Sequence, residues 1–219
     1  AAKLLWHSQN NDSTVRPLNN LYLGLHHNYS LDNIKDRQYK KVDYNDVATL
    51  LADKKIIAIY QGRSEAGPRA LGNRSILFDP RDKTGKEKVN TVKNREWFRP
   101  FAGTVLKEFA NEYFNMAGLV ESPYMMYAVD VVEDKVESIP AITHVDNTCR
   151  VQTLTQSQNL HFYNLVSAFH DITGVPILFN TSFNLAGDAI VETLDDALTC
   201  LDTSDIDFLY LPELGVLIE

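Results

Sequence analysis

The sequence predicts a single α/β domain, a twisted mixed sheet with flanking helices. Two observations carry that expectation. Apolar runs of strand length alternate with segments of helical period, and neither a long linker nor an internal repeat interrupts them. The size agrees, since 219 residues with 44% hydrophobic and 23% charged content suffice for one large core.

Residues 1–43 are polar and broken in pattern, with LYLGL at 21–25 as a short strand candidate, and they read as an extension or linker. Residues 44–219 carry the domain. Tyr44 to Asp53 has helical spacing, with Asn45 as a cap and Val47, Leu50 and Leu51 on its apolar face. Ile56–Tyr60 is a β-branched buried strand that leads into the Gly-bearing turn Gln61-Gly62-Arg63. Asp79-Pro80-Arg81-Asp82 is a turn, and Thr84–Val92 is a helix with Val89 inward. Phe101–Val105 reads as a strand, Phe109–Phe114 as a short helix and Met125–Val132 as a strand, with an acidic hairpin or loop at Glu133–Ser138. Leu160–Thr173 is the clearest helix: Phe162, Leu165, Val166 and Phe169 share a face, and Gly174 can end it. Val175–Phe179 is a strand running into Asn180-Thr181-Ser182-Phe183-Asn184, Thr193 opens a last helix with Asp195 and Asp196 in its first turn, and Asp207–Leu211 is a strand.

Charge is unevenly placed. The chain carries a net −8, yet Gly62 to Ala102 holds ten Lys or Arg against five Asp or Glu, a local +5 against −13 elsewhere. A basic island in an acidic protein attracts a specific anion. The acidic remainder argues against wholesale nucleic-acid binding. No run of eighteen apolar residues is present to span a membrane, and no basic-then-apolar leader opens the chain, which points to the cytoplasm. Cys149 and Cys200 lack metal-ligand spacing and read as reduced packing residues. His26-His27 has no third ligand nearby and reads as a surface pair.

The island holds two motifs. GRSEAGPRALGNRS, Gly62 to Ser75, combines Arg63, Arg69 and Arg74 with Glu65, three glycines and a proline. Gly67 and Gly72 permit tight turning, and Arg69 follows the stiff Pro68 with a fork suited to phosphate or carboxylate. Glu65 reads as a salt-bridge partner that orients an arginine, ahead of a general base. No Walker order is present. In KNREWFRPFAG, an extended segment places Lys93, Arg95, Trp97 and Arg99 on one face, suiting phosphates on the cations and a base or sugar on the ring; a solvated ion-paired face is the alternative. HVDNTCRVQT adds His144, a proton carrier or a hydrogen-bonding core residue, and Arg150 at a strand start. NTSFN offers Ser182 and Asn184, alternating with Phe183, as ligand contacts or as a helix cap.

Together GRSEAGPRALGNRSIL, K-x-R-E-x-F-R-P-F-A, H-V-D-x-T-x-R-V-Q-T and NTSFN-x-x-G-x-x-I-V resemble the C-terminal domain of O-carbamoyltransferases of the NodU/CmcH/TobZ type. The resemblance runs from about Asn45 to the C-terminus. It departs at Ala66, where a phenylalanine is usual, and at Asn147, which replaces a glycine. It implies the YrdC-like fold of threonylcarbamoyl-adenylate synthases, and a reaction in which carbamoyl phosphate and ATP form carbamoyl adenylate and release pyrophosphate. A separate N-terminal domain, actin/hexokinase-like and carrying iron, would then transfer the carbamoyl group to an acceptor hydroxyl. Carried over, Arg69, Lys93, Arg99 and Arg150 become the catalytic cations, joined by Ser182 and Asn184 in binding phosphates and the carbamoyl group. Arg63, Arg95, His144, Asn180 and Thr181 complete the expected ATP and carbamoyl phosphate site. Mg²⁺ would ride on the ATP phosphates, with no metal held by protein ligands. A homodimer is compatible with this reading. The alternatives are a YrdC-like RNA-binding module and a threonylcarbamoyl-adenylate synthase.

Overall fold

A computed structural model describes residues 2–10 and 20–219. The chain forms α1 (Ala2–Asn10), β1 (Tyr39–Lys41), α2 (Tyr44–Ala52), β2 (Ile57–Tyr60), β3 (Arg74–Phe78), α3 (Gly85–Val92) and β4 (Ala102–Leu106). Short α4 (Ala110–Tyr113) and β5 (Phe114–Asn115) lead to β6 (Ala128–Val131) and β7 (Thr148–Leu154). Then come α5 (Leu160–Thr173), β8 (Ile177–Ser182), α6 (Leu194–Asp202), β9 (Phe208–Leu211) and β10 (Val216–Ile218). The strands join in one mixed ten-stranded sheet, in the order β1-β10-β9-β2-β3-β8-β4-β7-β6-β5.

Strand direction decides where the motifs meet. β8 runs antiparallel to β3 and β4, β7 runs parallel to β4, and β2 runs antiparallel to β3. The C-terminal ends of β2 and β8 therefore share one edge with the N-terminal ends of β3, β4 and β7. The loops at 61–73, 93–101, 144–147 and 183–193 all leave from that edge. One sheet face there follows from register: Asn180 pairs with Ala102, and Ala102 with Arg150, so these three form a row. On the other face Phe179 packs against Phe78 and Phe101, with ring centroids 6.1 and 4.3 Å away.

Local chemistry explains the main helices. Asp43, not Asn45, caps α2, accepting from the N–H groups of Asn45 and Asp46 while Asp46 bonds back. The same capping box, made by Thr193 and Asp196, opens α6. α5 starts at Asn159 and ends at Gly174, whose φ of 73° is left-handed. α2 and α5 pack together, and the Tyr44 hydroxyl meets His161 Nδ1 at 2.7 Å.

Several expectations are corrected. LYLGL is not a strand: its backbone turns to the 61–73 loop, where Leu21 O accepts from Ala66 N at 2.7 Å and Gly24 N donates to Ser64 O at 3.0 Å. Glu133–Ser138 is a 3₁₀ helix rather than a hairpin. The fourth-motif strand runs on to Ser182 because Asn180, Thr181 and Ser182 pair with Leu77, Ile76 and Ser75. No helix follows there until Leu194, which Thr193 caps, so no cap role arises for Ser182 or Asn184. β1, within the 1–43 extension or linker, pairs with β10 from Tyr39↔Ile218 to Lys41↔Val216. Residues 11–19 of that linker lie outside the described residues.

Candidate functional site: a cation-lined edge

The stretch expected to be extended is folded into turns. The chain turns at Lys93-Asn94, with Asn94 at φ 52°, and again where Arg99 N donates to Glu96 O at 3.2 Å. Asn90 holds this shape: its Nδ2 donates to the carbonyls of Trp97 (3.0 Å) and Arg99 (3.1 Å), and its Oδ1 accepts from Arg95 Nε at 2.5 Å. Lys93 is consequently buried, at 2% exposure, while Trp97 stands 69% exposed and shares no face with it.

Lys93 Nζ donates to Ser182 O (2.6 Å), Asn184 O (2.7 Å) and Asn184 Oδ1 (3.0 Å), which uses its three protons. Ser182 Oγ also donates to Asn184 Oδ1, at 2.7 Å. Burial, then repulsion from Arg95, lowers the Lys93 ammonium to about 7. The Arg95 guanidinium lies 4.2 Å from the Phe101 ring centroid and has a buried Nη2 without a partner. Burial, then repulsion from Arg99 and Arg150, brings Arg95 down to about 10. Arg99 is exposed and pairs with Glu96 at 2.7 Å. Lys93, Arg95, Glu96 and Arg99 line a cleft of about 780 Å³ together with Ser182, Asn184 and Gly187.

Arg150 and Arg69 extend the cationic group beyond the cleft. Arg150 sits in the Asn180–Ala102–Arg150 row, and its ionisation is lowered first by burial and then by Arg69. Both arginines have a buried Nε with no hydrogen-bond partner. Asn180 is buried too: its Nδ2 faces Thr104 Oγ1 (3.0 Å) and Gln152 Oε1 (3.2 Å), and Gln152 Nε2 donates to Leu71 O at 3.0 Å. This polar layer seats the loop that carries Arg69. Thr181 is half-buried on the opposite face of β8.

Other nominees are placed differently. Arg63 is exposed and donates through Nε to Gly24 O at 2.7 Å, pinning the N-terminal segment rather than joining the cations. His144 Nε2 donates to Phe101 O at 2.9 Å, and its Nδ1 lies 3.1 Å from Thr148 Oγ1, so both nitrogens tie the starts of β4 and β7 together. Asn147, next in that turn, has φ 59°, a conformation that glycine and asparagine accept most readily. Glu65 makes no ion pair; its Oε1 accepts from Leu71 N (2.6 Å) and Asn73 N (2.9 Å). Arg74 is fully buried, and its guanidinium serves the carbonyls of Gln61, Gly62 and Glu192. Sequence reasoning missed Asn90, Thr104 and Gln152. Thr104 and Gln152 had the signal of a polar residue in a mostly buried strand; Asn90 had none, because its helix, GKEKVNTV, is polar throughout except for Val89 and Val92.

Cys149 and Cys200 are buried and unbridged, with the Cys149 thiol pushed up to about 12 by burial. His27 Nε2 pairs with Glu192 at 3.0 Å. Among the described residues no group of three His, Cys, Asp or Glu is arranged to hold a metal, and no helix is long and apolar enough to cross a membrane.

Residues 48–217 match the family model described as "Carbamoyltransferase C-terminus". The chain belongs to this family. It is 49% identical over 162 residues to the nodulation protein NolNO of Sinorhizobium fredii, covering 73% of this chain and 24% of that one. It is 35% identical over 165 residues to the 3'-hydroxymethylcephem-O-carbamoyltransferase of Streptomyces clavuligerus, covering 75% and 31%. The chain thus spans about a quarter to a third of the length of these relatives. Among solved structures, full-length HypF in a phosphate- and nucleotide-bound form aligns with a TM-score of 0.54 at 16% identity, covering 82% of this chain and 22% of HypF. HypF of T. kodakarensis aligns with a TM-score of 0.52 at 15% identity, covering 75% and 20%. At such identities the likeness concerns the fold, which is the expected YrdC-like α/β sheet.

Proposed function

We propose that this carbamoyltransferase C-terminal domain binds carbamoyl phosphate and ATP and forms carbamoyl adenylate, releasing pyrophosphate. The single observation that carries the reading is the crowding of Lys93, Arg95, Arg99, Arg150 and Arg69. Burial first, and then repulsion, lowers the ionisation of three of them: Arg95 acts on Lys93, Arg99 and Arg150 act on Arg95, and Arg69 acts on Arg150, while Glu96 is the one carboxylate that eases Arg95. Leaving positive groups buried together opposes folding, and an oligoanion relieves the strain. The orphaned Nε atoms of Arg69 and Arg150 and the Nη2 of Arg95 are donors awaiting acceptors.

The chemistry follows from that field. Water cleaves the phosphate from carbamoyl phosphate, leaving carbamate. A carbamate oxygen attacks the α-phosphorus of ATP, the bond from that phosphorus to the β-bridging oxygen breaks, and pyrophosphate departs. The obstacle is repulsion between two anions, which fixed guanidinium groups offset while they align the reactants. Any Mg²⁺ would travel on the nucleotide's phosphates, which supply most of its oxygen ligands. The rest of a longer protein, carrying its own iron site, would pass the carbamoyl group to an acceptor hydroxyl.

Isothermal titration with ATP and with carbamoyl phosphate tests this. Arg69→Ala and Lys93→Ala are each expected to cost about 1.5–3 kcal/mol of ligand binding, the range for a charged hydrogen bond. Lys93 acts through the Ser182–Asn184 turn, Arg69 directly. Unchanged affinity for both ligands in both variants sinks the proposal. Pyrophosphate release from ATP with carbamoyl phosphate, compared with threonine plus bicarbonate, separates this reading from threonylcarbamoyl-adenylate synthesis.

A further inference from the structure

The loop that carries Arg69 is closed by a carboxylate that the proposed chemistry does not use. Glu65 sits four residues before Arg69, and its Oε1 takes the N–H groups of Leu71 and Asn73 beyond it, at 2.6 and 2.9 Å. The two bonds bridge the loop's base and leave Arg69 near its tip. Residue 65 as a whole is half-buried, yet its carboxylate end is enclosed, and Oε2 is shut off from solvent without a partner. Burial pushes this carboxyl upward, while the two amides and the charge of Arg74 pull it back. An acid placed here is costly unless holding the loop matters.

The rest of the loop is pinned from both sides, which leaves Glu65 the inner tie. Tyr22 Oη donates to Leu71 O at 2.9 Å and Ala66 N donates to Leu21 O at 2.7 Å from the N-terminal segment. Gln61 Nε2 donates to Gly72 O at 2.8 Å from the sheet side. Gly72, at φ 110°, is packed so closely on Phe162 that a Cβ there would collide with the ring. A loop held this firmly fixes where the Arg69 side chain starts.

We propose that Glu65 is a positioning residue: it staples the 65–73 loop so that Arg69 is held beside Arg150 to receive an anion. This rests on the functional reading above only for the identity of that anion, so the probe is inorganic pyrophosphate. Titration of Glu65→Ala is expected to show roughly tenfold weaker pyrophosphate binding, the order of one lost charge-assisted bond. Glu65→Gln keeps an acceptor oxygen and is expected to recover most of that loss. In an Arg69→Ala background, Glu65→Ala should weaken binding no further, because its effect passes through Arg69. A merely structural defect would instead add to the Arg69 effect. Hydrogen exchange in the ligand-free protein gives an independent reading: the Leu71 and Asn73 amides should lose protection in Glu65→Ala and keep it in Glu65→Gln. Additive losses, unchanged affinity, or unchanged protection of those amides each overturn the proposal. If pyrophosphate binds as inferred but carbamoyl phosphate does not, the functional reading fails while the role of Glu65 stands.

Discussion

The two ends of the sheet both carry clustered positive charge, but only one end neutralises it. At the end away from the site, Lys88 and Lys54 meet Asp82 at 2.7 and 3.8 Å, Lys55 meets Asp207 at 3.0 Å, and Arg81 grips Asp79 through Nε and Nη2. At the site end Arg69, Arg74, Arg95 and Arg150 each have a buried nitrogen with no partner, and Lys93 is matched by neutral oxygens alone. The same residue types thus serve two purposes. Paired cations add to the fold, whereas unpaired cations hold affinity in reserve for a ligand.

Arg74 is the sharpest challenge to that division, because it lies at the site end and is fully buried. Its Nε is buried without a partner, but the rest of its fork is used within the fold, which places it with the structural set: its Nη1 reaches Gln61 O at 2.5 Å, its Nη2 reaches Gly62 and Glu192 carbonyls at 3.2 and 3.1 Å, and its guanidinium covers the Tyr60 ring at 3.7 Å. Arg74→Met strands those carbonyls. We expect a loss of about 3–5 kcal/mol in stability, read as a lower denaturant midpoint at constant m-value. A loss below about 1 kcal/mol with collapsed pyrophosphate affinity would move Arg74 into the binding set and break the comparison.

The next largest effect lies at the opposite end. Burial pushes the Asp82 carboxyl up, but the bonds from Lys88 and from Thr84 N–H and O–H outweigh it and hold it at about 2. A carboxyl depressed in the folded state contributes stability above its unfolded value of about 4 and loses it as pH falls toward 2. Asp82→Asn should therefore cost about 1–2 kcal/mol at pH 7 and flatten the acid limb between about pH 4 and 2. Titration with pyrophosphate should be unchanged. A variant that instead loses anion affinity would show that the two ends are coupled.

What the sequence made legible follows from the same physics. α5 and β2 bury one face or both, so period and β-branching announce them. β1 and β10 are three residues each, and the edge strand reads Tyr39-Lys40-Lys41, with all three residues exposed, so no apolar pattern marks it. The site residue types were legible because arginines so dense in an acidic chain are rare. Their roles were not, because sequence spacing assumed an extended 93–99 segment, while Asn90 folds it and turns Lys93 inward. The meeting of Arg150 with Arg69 depends on the strand order β3-β8-β4-β7, a long-range fact that no local window contains.

The smallest expected effect offers the finest test of the division. Arg99 is the one cluster cation with a carboxylate partner, and that pair is exposed: Nε to Glu96 Oε2 is 2.7 Å with both side chains 53% accessible. Exposed pairs contribute little to folding because water already solvates both charges and salt screens them. Glu96→Gln should leave the unfolding midpoint where it is. It also frees the Arg99 guanidinium and removes the negative charge nearest Arg95, so the cleft becomes more positive. Pyrophosphate should bind roughly two- to threefold tighter at low ionic strength, with the gain vanishing in high salt. If the variant lost stability while its anion affinity stayed flat, the Arg99–Glu96 pair would belong with the neutralised, fold-holding set, and the cleft would have one cation fewer to offer.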